Sequence, residues 1–199
     1  MGLAQSQHRF LVRQKVTLMA NRYLVHTMGP DGEEAELVAF AHQKRMALKE
    51  HVTFYTDESR RQVLFTFRAR QVIDLGATYD VHGASGTRLG GFRKDFGASL
   101  LRSTWHLNRA GAETRESTGQ ERNRTVGLLR RGWEFLPFTD LLPFVVPYHF
   151  DFAEAGRHVM SVEKRFGVRD RYVVDIADPE LDRRLAIAQA VALDALQSR

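Results

Sequence analysis

The sequence predicts a mainly β fold: a closed antiparallel β-barrel of about twelve strands, wrapped around a buried C-terminal hydrophobic helix. Two observations predict it. Short runs rich in Val, Phe, Tyr and Thr alternate with Gly, Asp and Ser clusters, with no comparably strong helical segment between them. The last segment is apolar all the way round: from Leu185 to Leu196 only Gln189 and Asp194 are polar. Such a helix is either a membrane span or the centre of a fold.

Length decides between those two. The apolar run would be roughly 18 Å long as an α-helix, whereas a span needs about 20 apolar residues. Arg183 and Arg184 precede it, and Asp194 lies inside it. Its alanines make a slim rod that other elements can approach closely. Asp178 is expected as the N-cap and Pro179 at the first helical position, giving a central helix at 179–197.

The strands follow in order. Residues 9–15 and 22–27 form the first pair, 37–41 a third strand and 52–56 a fourth. In 63–73, Val63, Phe65, Phe67 and Ala69 share one face, and Thr66, Arg68 and Arg70 the other. Residues 78–82 and 87–94 read as a hairpin, because Gly83-Ala84-Ser85-Gly86 supplies turn residues able to take positive φ. Residues 103–109 place Trp105 and Leu107 on one side. Tyr148, Phe150 and Phe152 alternate with His149 and Asp151, and 157–164 pairs with 171–177 across 166–170. That is about eleven segments; an open sheet of such size tends to curl or close, and closure removes exposed edges. Residues 133–147 are apolar but broken by Pro137, Pro143 and Pro147, so a spanning helix is disfavoured there. A loop folded over the barrel end or an interfacial segment both fit. Residues 1–199 are expected to form a single domain.

Three stretches together carry a family resemblance over almost the whole chain. One is Arg9-Phe10-Leu11-Val12-Arg13-Gln14-Lys15, running on to Asn21-Arg22-Tyr23. The second is Tyr79-Asp80-Val81-His82-Gly83 through Gly90-Gly91-Phe92-Arg93-Lys94 to Leu100-Leu101-Arg102-Ser103-Thr104-Trp105. The third runs from Arg171-Tyr172 through Asp182-Arg183-Arg184 to Gln197. The set resembles the tubby C-terminal-like superfamily, in its LURP-one-related and phospholipid-scramblase-like branch. The resemblance implies a barrel around its own C-terminal helix. Tubby proteins bind phosphoinositide headgroups through basic residues, scramblases are associated with calcium-dependent lipid movement, and plant members with defence. The chain lacks a cysteine cluster, a calcium-like run of alternating acids and a spanning helix beyond the barrel's own, so scrambling is not expected of it.

Composition narrows the chemistry. There is no cysteine, which excludes a disulfide framework, a thiolate metal site and a cysteine nucleophile, and fits a cytoplasmic protein, soluble or peripheral to a membrane. The net charge is +5, and residues 101–132 hold seven arginines against three glutamates. Localised basic charge suits a phosphate-bearing partner; a solvated surface is the competing account. Candidate headgroup contacts are Arg93 and Lys94 at the end of the central hairpin, with Arg102 nearby, since charge-assisted arginine bonds suit phosphate oxygens. Arg130 and Arg131, with Arg122 and Arg124, form a second candidate patch beside the 133–147 segment.

Enzyme chemistry has little support. Asp80-Val81-His82 and His149-Phe150-Asp151 each set an acid and a histidine on one strand face, without a third ligand. Gly86-Thr87-Arg88-Leu89-Gly90-Gly91 lacks the Gly-Lys-Ser/Thr ending of a phosphate loop. No cofactor and no metal are expected. A pI near 9.8 would suit nucleic acid, but no nucleic-acid-binding signature accompanies it. The expectation is therefore a non-enzymatic protein that binds an anionic phospholipid or a membrane surface, with a protein-partner module as the alternative.

Overall fold

The computed structural model describes residues 3–16, 20–44, 51–70, 78–95, 103–122, 149–165 and 171–197. Twelve strands make one closed antiparallel barrel: β1 (Arg9–Val16), β2 (Ala20–Met28), β3 (Glu34–Lys44), β4 (His51–Tyr55), β5 (Val63–Ala69), β6 (Thr78–Gly83), β7 (Arg88–Asp95), β8 (Thr104–Arg109), β9 (Ala112–Glu121), β10 (His149–Glu154), β11 (Arg157–Arg165) and β12 (Arg171–Ile176). Each strand pairs with its sequence neighbours, and β1 closes the ring against β12, with Phe10 opposite Val174. The expected barrel is therefore present.

The C-terminal helix α1 (Arg183–Gln197) is enclosed. Leu185, Val191 and Leu193 are fully buried, and no helix of the described residues is long and apolar enough to cross a membrane. It packs most closely against β5, β6, β7 and β12. Gly90 permits that approach, because a Cβ there would lie 2.8 Å from Leu185 Cδ2. Elsewhere aromatic rings fill the space, with Phe54 stacked on Phe65 at 4.1 Å and Tyr79 on Phe92 at 5.3 Å.

Three local expectations change. The helix begins at Arg183, not Pro179. Asp178 does accept a main-chain bond, from Glu180 N at 2.9 Å, but it caps a turn; Asp182 caps the helix through Arg184 N at 2.8 Å. Strand β5 stops at Ala69, and part of the expected 63–73 run lies outside the described residues, as does all of 133–147. Strand β9 was not foreseen. Its sequence, AETRESTGQE, has almost no strand formers. It is held on both sides by ladders, Trp105 opposite Gly119 and Phe152 opposite Gly119. The Ala110-Gly111 turn enters it with Gly111 at φ 75°, a conformation that glycine adopts without steric cost.

The helix entrance is sealed by the chain's first described segment. Arg183 is fully buried. Its side chain donates to the carbonyls of Gln7 (2.8 Å), Asp178 (3.2 Å), Pro179 (3.1 Å) and Leu181 (2.5 Å), and to His8 Nδ1 (3.2 Å). Gln5 Oε1 receives the Arg183 main-chain N–H at 3.1 Å. A buried cation persists only when its donors are satisfied, and here main-chain oxygens do most of that.

Candidate anion-binding face

A barrel strand sends alternate side chains inward and outward. Tyr23, Ala41, Val52 and Phe67 point inward and are buried, so Lys15, Arg22, His42, His51 and Arg68 point outward. The register makes them neighbours. Lys15 is opposite Arg22, Arg22 opposite His42, His42 opposite Thr53, and His51 opposite Arg68. Adjacent strands lie about 4.8 Å apart, so these five residues form a basic band that follows the barrel wall across β1–β5. Lys15, Arg22, His51 and Arg68 are exposed and His42 is half-buried.

Among the described residues no acid of β1–β5 interrupts the band. Strands β1, β2, β4 and β5 contain neither Asp nor Glu, and the acids of β3, Glu34 and Glu36, sit at its opposite end. Among the described residues Lys15, Arg22 and Arg68 form no ion pair. The carboxylate beside Arg68, Asp80, is held by Arg70 at 2.6 and 2.8 Å and by Arg88 at 3.1 Å. Like charges directly opposite one another destabilise a sheet, and a bound anion would relieve that repulsion. Burial, and then the Arg68 charge, hold His51 below the ordinary imidazole value. Its Nε2 meets Thr53 Oγ1 at 3.3 Å.

The residues singled out from sequence fare differently. Arg93 is on the outer face of β7, with Nη2 3.4 Å from Glu116. Lys94 is the next residue on the strand, opposite the buried Trp105, so it leaves the other face. The structure therefore does not bring Arg93 and Lys94 together. Arg102, Arg130 and Arg131, with Arg124, lie outside the described residues. Arg122 is engaged by Asp151 at 2.8 and 2.9 Å. Arginines engage the acids of both acid–histidine motifs: Asp80 belongs to Arg70 and Arg88, whereas Asp151 is shared between Arg122 and His149, the latter at 3.2 Å. Among the described residues no three His, Asp or Glu side chains are grouped to hold a metal.

The basic face was missed because its members are spread over 54 positions of sequence, from Lys15 to Arg68. The signal that would have found it is the absence of acids from four strands of the first half. A family model described as LURP-one-related matches residues 37–194. No curated protein matches the chain. Strands β1 and β2, which bring Lys15 and Arg22 to the face and close the barrel, precede the matched region.

Proposed function

This chain belongs to the LURP-one-related family, and we propose that it is a non-enzymatic binding protein of tubby-like type that docks on anionic phospholipid headgroups. The supporting observation is the basic face of Lys15, Arg22, His42, His51 and Arg68, in which Lys15, Arg22 and Arg68 form no ion pair among the described residues. Lysine and arginine on a rigid sheet meet phosphate oxygens with charge-assisted bonds and little ordering cost. A surface of this kind suits a cytoplasmic protein peripheral to the membrane, attracted by the anionic leaflet at about 1 kcal/mol per basic residue.

Vesicle flotation tests this. The protein should float with vesicles containing anionic lipid and not with zwitterionic ones. Lys15→Glu combined with Arg22→Glu should abolish flotation, whereas Arg93→Ala combined with Lys94→Ala should leave it. Equal flotation on both lipids, or an unaffected Lys15/Arg22 variant, would sink the proposal in favour of a protein-partner module. Retention on unrelated nucleic acid but not on vesicles would redirect it to that polymer.

A further inference from the structure

The opposite end of the barrel carries a second cluster of arginines with a different construction. The β8–β9 and β10–β11 hairpins and the turn before α1 meet there around a cleft of about 480 Å³, lined by Arg115, Glu154, Ala155, Arg157, Asp178, Pro179 and Glu180. The Ala155-Gly156 turn has both residues at positive φ, 47° and 81°, which sets Glu154 and Arg157 side by side at its base.

The charges are layered. Asp178 has no exposed side-chain surface and accepts from Arg109 Nη2 at 2.5 Å and Arg157 Nη2 at 3.1 Å. Glu154, 10% exposed, accepts from Arg115 Nε at 2.7 Å and lies 3.4 Å from Arg109 Nη2. In contrast, Arg115 is 49% and Arg157 is 56% exposed. The carboxylates therefore lie beneath, and the guanidiniums face the cleft. Each head uses only one of its N–H-bearing atoms on its carboxylate, so donors remain on both. Burial pushes the Asp178 carboxyl up, but Arg109, the Glu180 N–H and Arg157 outweigh it and hold it ionised. Three arginines meet two buried acids and the exposed Glu180, so the cluster is balanced, and one positive charge is left uncompensated only when Glu180 is displaced. The remaining acid at the mouth, Glu180, is 70% exposed and only 3.8 Å from Arg109 Nη1, a loose contact that a stronger anion can displace.

We propose that this cleft is a binding site for a phosphate-class oxyanion, taken between Arg115 and Arg157. Two guanidiniums fixed from below are pre-organised, so little side-chain entropy is lost on binding. The volume exceeds that of a bare phosphate and leaves room for a small ester group. The site is independent of Lys15 and Arg22, which lie toward the other end of the strands.

Inorganic phosphate, titrated into the full chain and followed by the amide shifts of Ala155, Gly156 and Glu180, tests the proposal. Saturable shifts are expected. Arg115→Gln should weaken binding about tenfold, as loss of one charge-assisted contact does. Arg115→Lys should rescue part of it, and Glu180→Gln should tighten it by removing the competing carboxylate. A purely structural cluster predicts no saturable shift, or one indifferent to Arg115→Gln and to Glu180→Gln; either result overturns the site. The Lys15→Glu/Arg22→Glu protein should bind phosphate unchanged, which separates this site from the lipid face. Vesicles bearing phosphatidic acid form a second arm: competition with free phosphate at the cleft assigns a lipid source, and no competition a soluble one.

Discussion

The ring of Phe152 occupies the place that a Cβ on Gly119 would take. Gly119 sits on β9 directly opposite Phe152 on β10, and Phe152 is fully buried. A single glycine in a polar strand thus makes room for an aromatic anchor of the core. Gly119→Ala should destabilise the protein by about 1–3 kcal/mol through overpacking. Urea unfolding would show it as a lowered midpoint. The neighbouring Thr118→Ala, on the outer face, should change the midpoint far less.

Arg183 closes the helix entrance from within. Arg183→Met would leave several carbonyls and His8 without their donor, at a cost of about 1–3 kcal/mol for a buried acceptor left unmet. Hydrogen exchange should then speed up at residues 5–8 and 177–182 before the rest of the barrel. Uniform exchange across the molecule would show that the entrance is not a separate unit.

Gln189 poses the opposite case. It is fully buried at the centre of α1, and among the described residues neither Oε1 nor Nε2 has a hydrogen-bond partner. Burying an unsatisfied polar group costs about 1–3 kcal/mol. Gln189→Met keeps the shape and removes the amide, so it should raise the thermal midpoint. A lowered midpoint would mean that an internal water satisfies the glutamine.

Acid should act in two stages. Burial, only partly offset by Glu34 and reinforced by Arg13 and Lys15, lowers His26; burial and Arg68 lower His51. The unfolded chain then takes up protons first, so stability is full above the ordinary value of 6.5 and is lost as pH falls from there through the folded values. The second stage comes from carboxylates. The Arg70 bonds, outweighing burial, lower Asp80; burial opposes but Arg122 and Arg184 bring Asp151 and Asp182 down. Their contribution is present above 3.8 and is lost as pH falls through their depressed folded values. Stability measured against pH should show both limbs. His26→Gln combined with His51→Gln should flatten the upper limb alone, and Asp80→Asn should shrink the lower one.

The binding face adds a spectroscopic check. An anion beside His51 offsets the Arg68 charge, so the His51 pKa should rise when soluble inositol phosphate is added, followed by imidazole proton shifts. An unmoved titration would count against an anion at this part of the face.

Much of the fold is legible in sequence because its signals are local. Period-two alternation marks β5 through Val63, Phe65 and Phe67. The apolar circumference of residues 185–196 marks the helix that must be enclosed. Strand β9 was illegible because its stability comes from the ladders on either side and from what Gly119 leaves vacant for Phe152, neither of which is written in its own residues. The helix start shifted because two aspartates, Asp178 and Asp182, each satisfy a capping pattern, and only the turn between them decides which one is used.

By itself the sequence determined the barrel class, the enclosed helix and the excess of basic charge, since periodicity, apolar surface and net charge are sums over neighbouring residues. Tertiary structure alone decided which charges meet. Arg93 and Lys94 are adjacent in the chain yet leave opposite faces of β7, while Lys15 meets Arg22 and His51 meets Arg68 across neighbouring strands. Strand register causes both outcomes: a shift of one residue moves every side chain to the other face, and register is settled by pairings between segments far apart in the chain.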